Sequence, residues 1–531
     1  MPQSRGATIF DSVKMSRAQS ASFDLSHNKT FTLDMGKLYP TTCLEVLPGD
    51  SYRLSQENFL RFAPLISPVM HQINVKTYSF FVPWRLIWEE FPDWITGEST
   101  AEAPYITGLT TAAGWTNKCL SAHFAIPPSS AGFTTQKISP AVAAAYYKIY
   151  DEYFRDQNLI DEKFIPLVAG DNSIDYLDLM KGEPLRKAWE HDYFTSCLPW
   201  AQKGDPVQMP LINNGTATID VTQWPGVPSG YPTFLNANDL TLPASGNITQ
   251  AAAGASINIG AGANLVYDPR GTLEVDINAE AVTINTFRNT IRVQEWLEKN
   301  ARGGTRYTEN ILAHFDTHSL DQRLQRPEYI GGSKQVMRIS EVLSTAQTID
   351  QSSNDVPVGQ MAGHGISIGA ANQKTYRATE HGFIISLICV QPKTAYYQGL
   401  HRMHQRFDKH QFAWPSFANL GEQEVYVKEL RNDVGTEEEL NTLFGYIPQY
   451  SEYKFMHDTI AGDFRDSLEF WQLARKWELD DLPALNEEFI ECKPDKRIFA
   501  VVDDGVDSIY AQVFHNVHAV KKLPKYGVPH L

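Results

Sequence analysis

The sequence contains one short motif that suits covalent catalysis. Gly365, Ser367 and Gly369 fit the G-x-S-x-G pattern, in which a serine hydroxyl attacks a carbonyl carbon. Such a serine needs a buried strand before it, a helix after it and a base, for which His381 is the speculative candidate. The polar segments on both sides predict neither element. A plain glycine-rich loop is therefore favoured, and a serine hydrolase using Ser367 is an unfavoured alternative.

A second group of residues has donor atoms for a metal ion. His401, His404 and His410, with Asp408 among them, are close enough in sequence to share one face. Their spacing lacks the glutamate of an HExxH motif and any cysteine partner. Histidines that face solvent or a protein interface are therefore favoured.

Acidic and glycine-rich segments give no stronger signal. The acidic runs 437–439 and 503–504 could hold calcium, but they lack EF-hand spacing and indicate a solvated face. Gly363–Gly365 resembles half of a dinucleotide loop, yet no strand is predicted before it. We therefore predict a non-enzymatic chain without catalytic, cofactor-binding or metal-binding residues.

Nucleic-acid binding is the remaining chemistry, and it has to be local. The formal net charge of −16 argues against a surface built mainly to bind phosphate. The best candidate is the amino-terminal stretch, in which Arg5, Lys14, Arg17 and Lys29 are opposed only by two acidic residues up to residue 30. These four cations are candidate DNA-facing residues, and a solvated arm without this role is the alternative.

Residues 205–282 differ from the rest of the chain in composition. They are rich in Gly, Ala, Asn, Thr and Pro and contain no lysine. This composition predicts exposed, β-rich loops of the kind that often carry surface recognition, with disorder as the alternative. Trp224, Tyr231 and Phe234 could anchor such loops, and they are the candidate residues for surface recognition.

The elements that must position these residues are mostly short strands, as the 30 prolines and 34 glycines indicate. Alternation from Ile73 to Phe80 predicts a long strand that Pro83 stops. The continuous apolar run Phe383–Val390 predicts a fully buried strand. Alternation in Ile509–Val520 predicts a half-buried one.

Two helices are predicted between the strands. Ser139 as N-cap and Pro140 at the first helical position begin an amphipathic pattern that runs to Phe154. A second helix covers residues 291–300 and ends before the glycine pair 303–304. Because no internal repeat is visible, strands from both ends of the chain must pair, which suits a Greek-key sandwich or a jelly roll.

Targeting and redox signals are few. The sequence lacks an apolar run of about 18 residues and the apolar centre of a signal peptide, so neither a membrane span nor export is expected. The five cysteines are widely spaced, without a CxxC pair, and predict reduced thiols in a cytoplasmic assembly.

Long segments of the chain resemble the major capsid proteins of the Microviridae, particularly of the gokushovirus branch. The resemblance spans most of the chain and is carried by residues 27–36, 44–54, 63–97, 146–159, 192–207, 301–315, 323–332, 380–400, 414–430, 444–477 and 485–501. It implies a mainly β fold: an eight-stranded antiparallel jelly roll of the viral-capsid type, with long loop insertions and several short helices.

The resemblance also implies a division of the chain. Residues 1–40 would form an arm on the inner face of a shell, and residues 41–204 would form the first part of the jelly roll with a helical insertion. Residues 205–282 would be the variable surface insertion, similar in position to a protrusion at the threefold axes, which implies contact with a host through Trp224, Tyr231 and Phe234. Residues 283–531 would complete the jelly roll.

The implied function is that of a structural molecule. It is a major capsid protein that self-assembles into a T=1 icosahedral shell around a circular single-stranded DNA phage genome. Implied partners are further copies of the chain, the DNA, a small basic DNA-packaging protein, a scaffolding protein, a minor or pilot protein and a host-cell receptor. The chain would be assembled in the bacterial cytoplasm and reside in the virion. A virion spike or receptor-binding protein, which forms a small oligomer, is the alternative.

Overall fold

The architecture of the protein is mainly β, with antiparallel sheets and mostly short helices, and this part of the fold prediction is confirmed. The computed structural model describes residues 20–111, 114–129, 135–205, 284–318, 320–343, 361–478, 481–503 and 505–526, with four two-residue strands between residues 235 and 266.

The strands are numbered in chain order. They are β1 Ala21–Asp24, β2 His27–Leu33, β3 Tyr39–Val46, β4 Ser51–Phe62, β5 Ile73–Pro83, β6 Leu235–Asn236, β7 Thr249–Gln250, β8 Ile257–Asn258, β9 Leu265–Val266, β10 Glu328–Val336, β11 Arg338–Leu343, β12 Met361–Arg377, β13 Gly382–Pro392, β14 Ala395–Tyr396, β15 Glu422–Tyr426, β16 Leu443–Pro448, β17 Asp458–Thr459 and β18 Ile509–Lys521.

The helices are numbered in the same way. They are α1 Phe91–Thr96, α2 Leu120–His123, α3 Ala141–Tyr153, α4 Ser173–Lys181, α5 Ile284–Arg302, α6 Tyr307–Phe315, α7 Val427–Leu430, α8 Glu437–Leu440 and α9 Glu487–Ile490. Short 3₁₀ helices cover Trp84–Leu86, Arg402–Gln405, Lys409–Gln411, Pro415–Phe417, Ser451–Tyr453, Gly462–Arg465 and Glu469–Trp471.

One sheet has six strands in the order β1-β18-β4-β12-β11, and β2 also pairs with β18. All of these pairings are antiparallel. On one edge β18 pairs with β4, and on the other edge it pairs with β2 and then with β1. The predicted pairing of strands from distant parts of the chain is confirmed.

The second sheet has four strands in the order β10-β5-β13-β3. Every residue of β13 is buried, as its continuous apolar sequence predicts. The predicted strand that begins at Ile73 is β5, and it lies between β10 and β13. The turn at residues 47–50 joins β3 of this sheet to β4 of the other, with Gly49 at φ +86°.

The two sheets pack face to face and share an apolar core. Leu60, Phe62 and Ile509 of the six-stranded sheet pack with Ile388 and Val390 of β13 in one buried cluster. A sheet that is covered on one face alternates buried and exposed side chains, and β18 shows this alternation over almost its whole length. The six-stranded sheet is therefore covered on one face and open on the other.

A helical layer covers the far face of the four-stranded sheet. Tyr146 and Ile149 of α3 pack with Phe80 of β5 and Ile385 of β13. The hydroxyl of Tyr146 donates to the carbonyl of Leu38 at 2.9 Å, so this buried polar group has a partner. The second sheet is thus covered on both faces, which explains why β13 can be apolar throughout.

The helix boundaries differ slightly from the prediction. α3 begins at Ala141 with Pro140 as its N-cap, and the hydroxyl of Ser139 accepts from the amide of Ala141 at 3.4 Å. The cap is therefore one residue later than predicted. α5 begins before the predicted start and ends at Arg302, and Gly304 follows at φ +95°.

The prediction of a glycine-rich loop at residues 365–369 is wrong, because these residues lie in the middle of β12. Small residues occupy the inward-facing positions of this strand. A Cβ on Gly365 would come within 2.7 Å of the Phe62 ring, and a Cβ on Gly363 within 2.3 Å of the carbonyl oxygen of Ser67. The glycines therefore allow close packing against the strand's neighbours.

The chain divides into two compact units, residues 1–203 with 297–531 and residues 204–296. The predicted insertion 205–282 falls within the second unit, in which β6 pairs with β9 and β7 with β8. Trp224, Tyr231 and Phe234 lie outside the described residues.

The predicted arm, residues 1–40, contains elements of the first unit. Its residues 1–19 are not among those described, but β1 and β2 are strands of the six-stranded sheet. None of the described helices is long and apolar enough to span a membrane. The five cysteines are free thiols, and all but Cys43 are buried.

Candidate nucleic-acid interface

The G-x-S-x-G serine lies inside the sandwich. Ser367 is 2% exposed, is paired with Leu60 of β4, and has a hydroxyl without a hydrogen-bond partner among the described residues. β12 continues to Arg377, so the motif lacks the helix that a nucleophile elbow requires. The backbone carbonyl of His381 accepts a hydrogen bond from the amide of Trp84 at 3.0 Å, and the imidazole ring of His381 packs on the Phe91 ring. This geometry offers no support for a hydrolase.

Two of the three histidines and the acidic run 437–439 lie at the surface. His404 and His410 are exposed, and the ring centroids of His401 and His404 are 6.5 Å apart. Within the part of the chain that is described, no group of three or more His, Cys, Asp or Glu side chains could hold a metal ion. The exposed run Glu437–Glu439 begins α8, where Thr436 caps the helix.

Lys29 is placed differently from the prediction. It lies in β2 opposite Val513, on the side of the strand that faces the sandwich. Its ammonium group donates to the carbonyl of Pro40 at 2.6 Å and also to the carbonyl of His123. Burial lowers the pKa of Lys29 to about 8. The side chain is thus held by protein partners on the covered side, whereas Arg5, Lys14 and Arg17 lie outside the described residues.

The open face of the six-stranded sheet collects cations and aromatic rings instead. In β4 the outward side chains include Arg53, Glu57, Phe59 and Arg61, all of them exposed. Strand alternation requires this arrangement, because the residues between them face the core. One face of a single strand therefore presents two guanidinium groups and an aromatic ring.

Cross-strand pairing extends this pattern over the sheet. Arg338 of β11 lies opposite Ile366 of β12, which lies opposite Arg61, which in turn lies opposite Tyr510 of β18. Because neighbouring strands are about 4.8 Å apart, the backbones that carry Arg338 and Arg61 are roughly 10 Å apart. The face therefore carries Arg and Tyr side chains in one row.

The next row is apolar and amide-bearing. Ile368, 77% exposed, lies opposite Phe59, and Phe59 lies opposite Gln512. In the following row of the same face, two positions further along each strand, Phe514 lies opposite Glu57. Aromatic rings thus alternate with hydrogen-bonding groups across the centre of the open face.

One end of the face is basic. Arg377 lies opposite Ser51 at the start of β4, and Arg53 follows on the same side of that strand. Lys522, directly after β18, is also exposed. The acidic groups on the face are Glu57 in its middle and Asp24 of β1, whose hydrogen bonds from Ser26 lower the pKa of its carboxyl. The four arginines of the face outnumber these two carboxylates, although the chain as a whole is acidic.

This combination suits single-stranded nucleic acid. Guanidinium groups can donate two hydrogen bonds to one phosphate, and aromatic side chains can stack on bases without regard to sequence. Sequence reasoning missed these residues, although the signal was present. The alternation that identified Ile509–Val520 as a strand also defines its outward set, which includes Tyr510, Gln512 and Phe514.

Comparisons with known proteins identify relatives that align with nearly the whole chain. The family model "capsid protein (F protein)" matches residues 11–531. Capsid protein VP1 of Bdellovibrio phage phiMH2K is 34% identical over 524 residues, which cover 96% of this chain and 94% of that protein. The capsid proteins VP1 of Chlamydia phage 1 and Spiroplasma virus 4 are 30% and 29% identical, each over 98% of this chain and 97% of the relative.

These relatives are capsid proteins of Microviridae phages, and they confirm the predicted major capsid protein. They indicate a structural role, not an enzymatic one, and a place in the virion. A capsid family also implies association of copies into a shell. Because the family model covers almost the whole chain and the relatives align at near full length, the chain belongs to the capsid protein (F protein) family of the Microviridae.

Proposed function

We propose that this capsid protein assembles into a T=1 icosahedral shell around a circular single-stranded DNA genome, with the open face of the six-stranded sheet toward the DNA. One observation carries the proposal: a chain of net charge −16 concentrates arginines and aromatic rings on this one sheet face. Phosphate and bases are the ligands that such a surface recognises.

We infer that the sandwich is an eight-stranded jelly roll. The support is the strand order: β2, β18, β4 and β12 are successive neighbours in one sheet, and β3, β13, β5 and β10 are successive neighbours in the other. Strands β2, β3, β4 and β5 alternate between the two sheets along the chain, and so do β10, β12, β13 and β18. Two interlocked series of four strands with such crossings are the pattern of a jelly roll.

We propose that this chain and a second, basic protein together neutralise the phosphates of the DNA. The exposed arginines can pair with only a minority of phosphates, so a small basic packaging protein would neutralise most of the genome. We also propose that Arg5, Lys14 and Arg17 extend this contact from the amino-terminal arm toward the interior. A scaffolding protein and a pilot protein complete the set of proposed virion partners.

The second compact unit, residues 204–296, is the proposed site of contact with the host. Its division from the rest of the chain and the loop-rich composition of residues 205–282 support this role. Trp224, Tyr231 and Phe234 are the proposed contact residues for a host-cell receptor. Assembly would take place in the bacterial cytoplasm, before the virion meets a new host.

The DNA-facing role can be tested with the double variant Arg61→Ala/Arg338→Ala. Both side chains are exposed on either side of Ile366, so their loss should leave the fold unchanged. We expect isometric particles with less nuclease-resistant single-stranded DNA per particle, and with DNA that is lost at lower salt than from the parent. Sedimentation, electron microscopy and a nuclease-protection assay measure these outcomes.

The matched control is Lys476→Ala/Lys493→Ala, which removes the same charge from exposed positions outside the sheets. It should package DNA like the parent. Equal DNA content and equal salt resistance in all three proteins would show that the open face does not bind the genome.

A further inference from the structure

A second surface on the first unit is strongly apolar. Two segments of the chain, residues 403–420 and 453–456, carry five exposed aromatic side chains; they are Phe407, Phe412, Trp414, Tyr453 and Phe455. We call this set, with Met403, Leu420 and Met456, the aromatic loop surface. Phe407 is 90% exposed, so it contributes almost nothing to the core of its own subunit.

Polar contacts beneath the surface hold its loops in place. Arg406 donates to the carboxylate of Glu452 at 3.0 Å, and its guanidinium lies over the Tyr453 ring at 4.4 Å. The indole nitrogen of Trp414 donates to the carbonyl of Lys409 at 2.8 Å. Glu452 is buried and also accepts from Gln423 at 2.7 Å. The Trp414 and Tyr453 rings are therefore held by contacts within the subunit, which reduces the conformational entropy that they would lose on binding a partner.

The segments also contact one another directly. The amide of Ala413 donates to the hydroxyl of Tyr453 at 3.4 Å, and the amide of Trp414 donates to the hydroxyl of Tyr450 at 3.3 Å. Arg406 lies between the Phe412 and Tyr453 rings, 5.9 Å and 4.4 Å from their centroids. The two segments that carry the exposed apolar side chains are thus in direct contact with each other.

The size of this surface matches a protein interface. At about 150–250 Å² per aromatic side chain, the exposed parts of the five rings sum to on the order of 500 Å². Met403, Leu420 and Met456 extend the surface toward the roughly 800 Å² that each partner buries in a standard interface. Its composition of Phe, Trp, Tyr, Met and Arg is typical of interface cores.

We propose that the aromatic loop surface is a contact between neighbouring copies of this chain in the shell. The occupant is a second copy, because a capsid family must repeat the same contacts between copies and because the area suits one such contact. The exposed His404 and His410 border this contact. This inference rests on the proposed shell assembly and adds the surface through which it occurs.

The experiment is Phe407→Asp in the full chain. Because Phe407 is almost fully exposed, the soluble subunit should fold and melt like the parent. Burying an unpaired carboxylate in the contact should reduce the yield of fast-sedimenting particles at least tenfold. The matched control is Ile174→Asp, which places the same charge at a side chain that is 95% exposed in α4. It should form particles like the parent.

A photo-crosslinking phenylalanine analogue at position 407 identifies the occupant. In assembled particles we expect crosslinked dimers of this chain, identified by mass spectrometry. Crosslinks to a different virion protein, or normal particle yield for Phe407→Asp, would overturn the inference while the parent still assembles. Failure of the parent itself to form shells would instead contradict the proposed function.

Discussion

At the residue scale, two buried imidazoles, those of His515 in β18 and His123 in α2, couple the protein to pH. His515 is 2% exposed, and its ring stacks on that of His27 at 5.1 Å. Burial, with the nearby His27 and Lys29, lowers the pKa of His515 to about 3. Burial likewise lowers the pKa of His123 to about 4. Both side chains are therefore neutral in the folded protein at neutral pH.

We predict that acid destabilises the subunit through these two histidines. The unfolded chain binds protons from about pH 6.5 downward, whereas the folded chain does not until its lower pKa values are reached. The free energy of unfolding should thus fall between about pH 6.5 and pH 4, by up to ~1.4 kcal/mol per pH unit for each histidine. The free energy of unfolding of His515→Gln, measured by urea denaturation across this range, should depend less steeply on pH than that of the parent. His410→Gln, at an exposed position, is the matched control.

A second prediction at this scale concerns the hydroxyl of Ser367. Because this buried group has no partner among the described residues, Ser367→Ala should leave the free energy of unfolding unchanged or raise it by up to ~1 kcal/mol. Particle yield should also be unchanged. A loss of more than about 1 kcal/mol in urea denaturation would mean that the hydroxyl has a structural partner.

At the element scale, the close packing of β12 depends on its inward glycines. We predict that Gly365→Val destabilises the subunit by roughly 1–3 kcal/mol, because the new side chain would meet the Phe62 ring. Ala370→Val, at an outward and exposed position of the same strand, should change stability by less than ~0.5 kcal/mol. Thermal and urea denaturation of the two variants measure the difference.

The same strand shows what sequence patterns could predict. Alternation identified β18 and the apolar run identified β13, because large side chains carry the burial pattern of each strand. Alternation also identified β5, although that strand is buried on both faces over most of its length. In β12 the inward positions are Gly363, Gly365, Ser367 and Gly369, which have too little side chain to produce such a pattern. These glycines therefore suggested a loop, whereas in the structure they are needed because neighbouring residues lie too close to leave room for a side chain.

The proposed DNA-facing site was predictable only in part for a related reason. Clustering of charge along the sequence pointed to the amino-terminal stretch, including Lys29, whose side chain turned out to lie on the covered side of β2. The arginines of the open face are far apart in sequence and meet through strand pairing, as Arg61 and Arg338 do. Pairing register depends on tertiary packing, so it could not be read from local sequence.

At the scale of the whole molecule, the division into two units predicts independent stability of the larger one. Replacing residues 206–282 by a short glycine-serine linker should preserve soluble expression and the melting temperature of the sandwich to within a few degrees. Attachment to host cells, measured by binding of purified particles, should be lost. Insoluble expression of the deletion variant would place the segment in the core instead.

The position of β18 within its sheet has a consequence for biosynthesis. β18 pairs with β4 on one edge and with β2 and β1 on the other, so it joins parts of the sheet that are otherwise separate. It is also translated after every other strand of that sheet. On the ribosome, β2 and β4 must therefore wait for a partner that is hundreds of residues away, and the sheet can close only at the end of synthesis. A nascent chain consequently cannot present a finished arginine-bearing face to DNA, so the proposed genome contact would be restricted to completed subunits.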